Sequence, residues 1–181
     1  NSMPAKSSPV DHIPTLIVKL CPDVFSALIA RLATLSFKEG SFSGSYKTAS
    51  ITPLLKKKDL DRDDPASFRP ISNLHSISKI LERLFLTRII PHVEKSPNYN
   101  PFQSAYMHGF RMLNDIRCAA DSGWRSVLVM LDLSAAFDTI DINTLLRRLE
   151  CTFGITGSAI LWLGSYLRDR SQYVRIGNDV S

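Results

Sequence analysis

Leu131-Asp132-Leu133-Ser134-Ala135-Ala136-Phe137-Asp138-Thr139-Ile140-Asp141 is the stretch on which the reading of this chain turns. It continues an apolar run that begins at Val127, so that Val127 to Leu133 is interrupted only by Asp132. A run of this length and composition predicts a strand buried on both faces. Asp141 is a good N-cap for a helix carrying Ile142, Leu145, Leu146, Leu149 and Phe153, which Gly154 stops. A second helix is expected over about Ser158 to Leu167, then a short strand over Tyr173 to Ile176. Helices with one apolar face need a sheet to cover, which makes the class α+β.

Upstream, helical spacing dominates. Pro14 opens a short apolar stretch to Leu20, and Pro22 stands where a first helical residue would. Val24, Leu28, Leu32 and Leu35 then follow to Gly40, a plausible C-terminal stop. Ala49 to Leu55 reads as a strand, and the charged segment Lys56 to Pro65 as a loop or hairpin tip. Ile77, Ile80, Leu81, Leu84 and Ile89 mark an amphipathic helix that Pro91 is expected to end or kink. Ser96 to Pro101 is a connector, and Met107 to Ser122 is expected to be partly helical.

The chain has 181 residues, about one domain or one and part of a second. With 44% hydrophobic residues it has the material for a core, and its composition is not that of a disordered or disulfide-built chain. The net charge of +5 allows an anionic partner without proving one. Three widely spaced cysteines and no C-x-x-C indicate neither a disulfide framework nor a cysteine zinc site. The polar start has no apolar core of a signal peptide, and no stretch is apolar enough to span a membrane. A reducing, intracellular compartment is expected, and a start at Asn rather than Met suggests a fragment.

Two readings of Asp132 follow from the residues alone. A carboxylate at the end of a buried strand is fixed and partly dehydrated, which suits Mg²⁺, an ion content with one or two carboxylates plus waters and substrate phosphates. The plainer arrangement is a strand that leads into a helix-capping Asp, and structural caps outnumber metal sites.

Three further stretches bear on the choice. They are Phe68-Arg69-Pro70-Ile71-Ser72-Asn73 with Ile77-Ser78-Lys79-Ile80-Leu81-Glu82-Arg83-Leu84 after it, Gln103-Ser104-Ala105-Tyr106, and Trp162-Leu163-Gly164-Ser165-Tyr166-Leu167 leading to Arg170-Ser171-Gln172. Together with the Asp132 stretch, and in this order, they resemble the reverse transcriptase of non-LTR (LINE-type) retrotransposons, of the jockey-like branch.

The resemblance implies part of a right-hand polymerase, helix-rich with a small antiparallel sheet in which Val127 to Leu133 is the central palm strand: an N-terminal helical extension over 1–46, fingers over 47–126 and a first palm segment over 127–181. It implies an RNA-directed DNA polymerase with an RNA template, a DNA primer or target and dNTPs as partners, working in nucleus and cytoplasm. Asp132 matches the family's first metal-binding aspartate and the carbonyl of Leu133 helps, with Mg²⁺, or Mn²⁺ in its place, as cofactor. The amides around Ala135 and Ala136 would meet the triphosphate. Phe137 takes the steric-gate position that favours dNTP over rNTP, although a ring there is also ordinary core material. Arg69 matches a fingers arginine that touches the incoming nucleotide, a role suited to a planar guanidinium. One of Lys56, Lys57 and Lys58 would supply a triphosphate contact, against the plain alternative of a solvated loop tip. Gln103 lies where the family approaches the template, or is a buried hydrogen-bonding glutamine. Asp138 is more often structural.

The sequence departs from the family in two places. The segment after Tyr106 is shorter than usual by about two helical turns. No Gly-Gln-Gly segment or aromatic-x-Asp-Asp turn follows Asp132, and the Asp63-Asp64 pair lies upstream in the charged loop. The expectation is therefore a polymerase domain truncated before its second carboxylate motif. The alternatives are a catalytically dead remnant or a nucleic-acid-binding fold without enzymatic activity and, with less support, a Mg²⁺ phosphohydrolase built on Asp132 and Asp138.

Overall fold

The computed structural model of the chain describes residues 7–100, 111–129, 139–177 and 179–181. Among these, six α-helices and four strands follow in the order α1 (Thr15–Leu20), α2 (Pro22–Glu39), β1 (Ala49–Leu55), β2 (Phe68–Asn73), α3 (Ser76–Glu94), α4 (Arg111–Asp121), α5 (Ile142–Phe153), α6 (Gly157–Leu167), β3 (Gln172–Ile176) and β4 (Asp179–Val180). The helix starts and stops follow local chemistry. Pro22 is the first residue of α2, and Gly40 closes it in the left-handed conformation with φ 63°. Asp141 caps α5 by accepting a 2.7 Å hydrogen bond from the Thr144 amide, and Gly154 ends it.

Gly40 does more than end a helix. A Cβ at this position would stand 2.8 Å from the Cβ of Leu161 and 3.1 Å from the Ser158 carbonyl oxygen, so the bare backbone lets α2 approach α6. Beside this contact lies the core, built from Ala33 on α2, Phe42, Leu81 and Phe85 on α3, and Trp162 on α6. The Trp162 ring stacks on Phe85 at 4.3 Å and meets Phe42 edge-on at 5.5 Å. Its indole N–H donates to the Ser36 hydroxyl at 2.8 Å, which satisfies the one polar atom of a fully buried ring. Tyr166, one turn further along α6, also stacks on Trp162, with ring centroids 5.4 Å apart; burial first, and then the Glu82 carboxylate, push its phenol up to about 12.

The helix α3 runs through Pro91 to Glu94. Proline here removes one hydrogen bond to the preceding turn without ending the helix. Just beyond it, the His92 ring and the Asn98 amide reach the last carbonyls of α5, at 2.6 Å to Phe153 and 2.7 Å to Thr152. Helix ends leave such carbonyls unpaired, so α3 caps α5 from outside.

The sheet has the strand order β2-β1-β3-β4. It is mixed rather than antiparallel throughout: β1 pairs with β2 and β3 with β4 in antiparallel fashion, but β1 and β3 run parallel. The crossover from β1 to β3 through the intervening helices permits a parallel neighbour that a hairpin could not. Strand β2 was not evident as a strand in the sequence, because Pro70 sits in its middle. The register resolves the difficulty. Lys56 N–H bonds to the Ser67 carbonyl at 2.9 Å, so hydrogen-bonded rungs fall at Leu54↔Arg69 and Thr52↔Ile71, and Pro53 faces Pro70 on a rung that needs no N–H between them. The β1–β3 pairing ends at Ile51↔Val174, two residues short of Pro53.

The expected central strand Val127 to Leu133 is not met where it can be seen. Residues 127–129 form no strand, and Val127 and Val129 are 89% and 74% exposed. An apolar run becomes a strand only where a neighbour offers backbone groups to pair with, and among the described residues no strand is paired to it. Residues 130–133 lie outside the described residues. The helices expected to flank this strand are present, but α6 packs on α2 and α5, and β3 joins the sheet of β1.

Candidate nucleic-acid interface

The β1–β2 hairpin carries the four cations singled out in the sequence, and the fold gives them different jobs. Lys56 is spent on the hairpin neck, where its ammonium donates to the Ala66 carbonyl at 2.8 Å. Lys57 and Lys58 are exposed beyond the end of β1. The loop that follows is rich in acids that build turns: Asp64 accepts from the Ala66 amide and Asp61 from the Asp63 amide, both at 2.9 Å. Over residues 56–65, three lysines and Arg62 are matched by Asp59, Asp61, Asp63 and Asp64, so the tip has no net charge. It cannot draw an anion from far away, and any contact must be made at close range by Lys57 or Lys58.

Arg69 is anchored differently. Its backbone sits on the hydrogen-bonded rung opposite Leu54, and its side chain shares a sheet face with Leu54, Thr52 and Ile71. It is exposed and forms no ion pair among the described residues. A guanidinium held on a rigid rung without a carboxylate partner can fork onto a phosphate or stack on a base.

A second cluster was missed in the sequence. Asp11, far from α3 along the chain, caps that helix: its carboxylate accepts from the Ser76 amide at 2.7 Å, the Ser76 hydroxyl at 2.6 Å and the Ser8 amide at 2.8 Å. The His75 Nδ1 stands 3.5 Å away. Burial pushes the Asp11 carboxyl up, but the hydrogen bonds from Ser76 and Ser8, with His75 beside them, outweigh it and hold the group below its ordinary value of 3.8. Local capping signals are read within four residues, and this cap comes from 65 residues away, so no sequence window contains it.

The remaining candidates, Gln103, Asp132, Leu133, Ala135, Ala136, Phe137 and Asp138, lie outside the described residues. Among the described residues, no three His, Cys, Asp or Glu side chains gather as a metal ion would need. No described helix is long and apolar enough to cross a membrane.

Residues 55–179, from the end of β1 to the start of β4, match the family model for reverse transcriptase (RNA-dependent DNA polymerase). The chain belongs to this family. The relatives it resembles place it among the polymerases of non-LTR elements, in agreement with the resemblance seen in its motifs. It is 27% identical over 188 residues to the probable RNA-directed DNA polymerase from transposon BS of Drosophila melanogaster, a match covering 99% of this chain and 20% of that protein. It is 28% identical over 182 residues to the RNA-directed DNA polymerase from mobile element jockey of the same species, covering 96% of this chain and 20% of the relative. A retrovirus-related Pol polyprotein from the type-1 retrotransposable element R1 of Bradysia coprophila is 32% identical over 120 residues, covering 62% of this chain and 12% of the relative. The reverse transcriptase chain thus spans about a fifth of the length of the first two relatives.

Proposed function

We propose that this chain is the fingers and first palm segment of an RNA-directed DNA polymerase that copies a retrotransposon's RNA into DNA at a nicked target. The observation that carries the reading is Arg69: within the family-matched segment, it is held on a hydrogen-bonded rung of the hairpin, exposed and without an ion-pair partner among the described residues. In that role its guanidinium meets the incoming nucleotide, and Lys57 or Lys58 meets the phosphates. Lys56 is the weakest of the three lysines for this task, because its ammonium already serves Ala66.

By the family resemblance, Asp132 and the carbonyl of Leu133 are the proposed ligands of Mg²⁺, or Mn²⁺ in its place, an ion that polarises phosphoryl oxygens when bound. The Ala135 and Ala136 amides then hold the triphosphate, the Phe137 ring closes the space under the sugar, and Gln103 lies against the template. Template RNA, primer DNA and dNTPs are the proposed partners, and nucleus and cytoplasm the proposed compartments.

A second reading, a nucleic-acid-binding fold without catalysis, is favoured by one observation. The strand that presents Arg69 pairs with β1 over its whole length, from Ser50↔Asn73 to Leu55↔Phe68.

Primer extension on an RNA template separates the two. Two-ion phosphoryl transfer needs carboxylates on both sides of the ion pair, and no Asp-Asp pair follows Asp132 in these 181 residues. The isolated chain is expected not to extend a primer. In a longer polymerase containing this segment, Asp132→Asn should abolish extension, while Phe137→Ala should leave extension but admit ribonucleotides. Robust synthesis by the isolated chain would refute the need for the second motif. An active Asp132→Asn polymerase would refute the metal assignment.

A further inference from the structure

At the root of the sheet, opposite the hairpin tip, four separate parts of the chain enclose a pocket of about 370 Å³ lined by Asp11, His12, Ser45, Thr48, His75 and Tyr173. The pocket is a built one. Its floor is the Asp11 carboxylate, 4% exposed and fixed by three hydrogen bonds. Asp11 sets the His75 ring through Nδ1, and Tyr46 packs edge-on behind that ring at 5.6 Å. His12 stands exposed at the rim, its ring 5.5 Å from His75 and tilted by 43°. Tyr173 closes the other side from β3, where it lies opposite Ser50.

The chemistry of the walls selects the ligand class. The N-terminus of a long helix is ordinarily an anion site, but here the Asp11 carboxylate already fills that position on α3. A phosphate would meet a buried negative charge instead of open amides. What remains is three rings, the apolar side chains of Pro9 and Val10 and a hydroxyl rim, which suits a flat, neutral heteroaromatic group that stacks and hydrogen-bonds at its edges.

We propose that this pocket takes one unpaired base of single-stranded nucleic acid. Its position supports this. Tyr173 and Arg69 lie on the same sheet face, because Tyr173 is in register with Ser50, and Arg69 with Leu54. Four residues of strand separate those two rungs, about 14 Å along β1. A strand whose phosphates meet the hairpin cations can therefore place a base a few nucleotides away in the pocket. The inference rests on the hairpin being a nucleic-acid contact, and the test separates the two claims.

The probe is a twelve-nucleotide oligothymidine carrying a single 2-aminopurine, titrated with the full chain at several salt concentrations. Its fluorescence is expected to be quenched on binding as the base stacks on a ring. His12→Ala and Tyr173→Ala should each weaken binding about 5- to 150-fold and relieve the quenching, whereas Tyr173→Phe should keep both. His12 is exposed, so its loss leaves the fold intact and guards against misreading an unfolded Tyr173 variant. Lys57→Ala/Lys58→Ala should flatten the salt dependence and leave the quenching at saturation unchanged. If the lysine variant behaves so while both ring variants match the parent, the pocket inference fails alone. If the ring variants weaken binding and the lysine variant does not, the hairpin reading fails and the pocket stands. No binding at all overturns both.

Discussion

The cluster around Trp162 and the β1–β2 hairpin are built from opposite materials. The first brings α2, α3 and α6 together over stacked rings with their polar atoms satisfied inside. The second is a ribbon whose residues beyond Ile51 are largely open to water and whose loop balances four cations against four carboxylates. The difference teaches where each kind of free energy is kept. Burial in the helical cluster holds the fold, whereas the hairpin, with little to bury, is free to present Arg69 and two lysines.

The sharpest way to break that division is Trp162→Ala. It should cost about 3–5 kcal/mol, a large part of an ordinary domain's stability, as read by urea unfolding. The fraction that stays folded should bind oligonucleotide as before; a parallel loss of affinity would show that the two regions are not separable. Gly40→Ala comes next, because the new Cβ meets Leu161 at 2.8 Å and the backbone stays at φ 63°. A loss of about 2–4 kcal/mol is expected, against almost none for Gly44→Ala, where nothing lies within 4 Å.

Asp11→Asn tests the strap that ties the N-terminal segment to α3, and should cost about 1 kcal/mol at neutral pH. The sign with pH follows from the depressed carboxyl. Its contribution is fully present above the ordinary value of 3.8 and is lost as pH falls through the lower folded value. Unfolding curves of the parent and Asp11→Asn should therefore converge only in acid below that value. A gap that closes near neutrality would assign the effect to another group. The smallest effect on stability belongs to Lys57→Ala/Lys58→Ala, within about 0.5 kcal/mol. Its log-affinity against log-salt slope should nevertheless fall by about 0.7–0.9 for each lysine that meets a phosphate. An unchanged slope would make the run a solvated tip.

What could be read in the sequence was whatever a few neighbouring residues decide. Pro22 and Gly40 bracket α2, Asp141 and Gly154 bracket α5, and the alternation over Ala49 to Leu55 became β1. What escaped depends on partners far along the chain. Strand β2 hides behind Pro70 until the rung on which Pro70 lies is known. Asp11 looks like any loop acid until Ser76 comes beside it. The exposed Val127 and Val129 show the converse error, the described start of an apolar run with no strand paired to it among the described residues. At the proposed interface, Arg69 and the lysines were expected from family motifs, whereas His12, His75 and Tyr173 belong to four-segment geometry that no motif spans.

The facing prolines of the hairpin have a bearing on solubility. Among the described residues β2 is one of the two outer strands of the sheet, and an outer strand normally offers a row of donors to any passing extended chain. On β2 the outward positions alternate with the rungs, falling at Phe68, Pro70 and Ser72, and the middle one carries no hydrogen. The Phe68 amide is already spent on the Pro65 carbonyl, so a foreign strand laid along this edge would find the Ser72 amide alone, too little to start a ladder. A ribbon exposed enough to meet a ligand is thereby kept from recruiting its own copies into fibres.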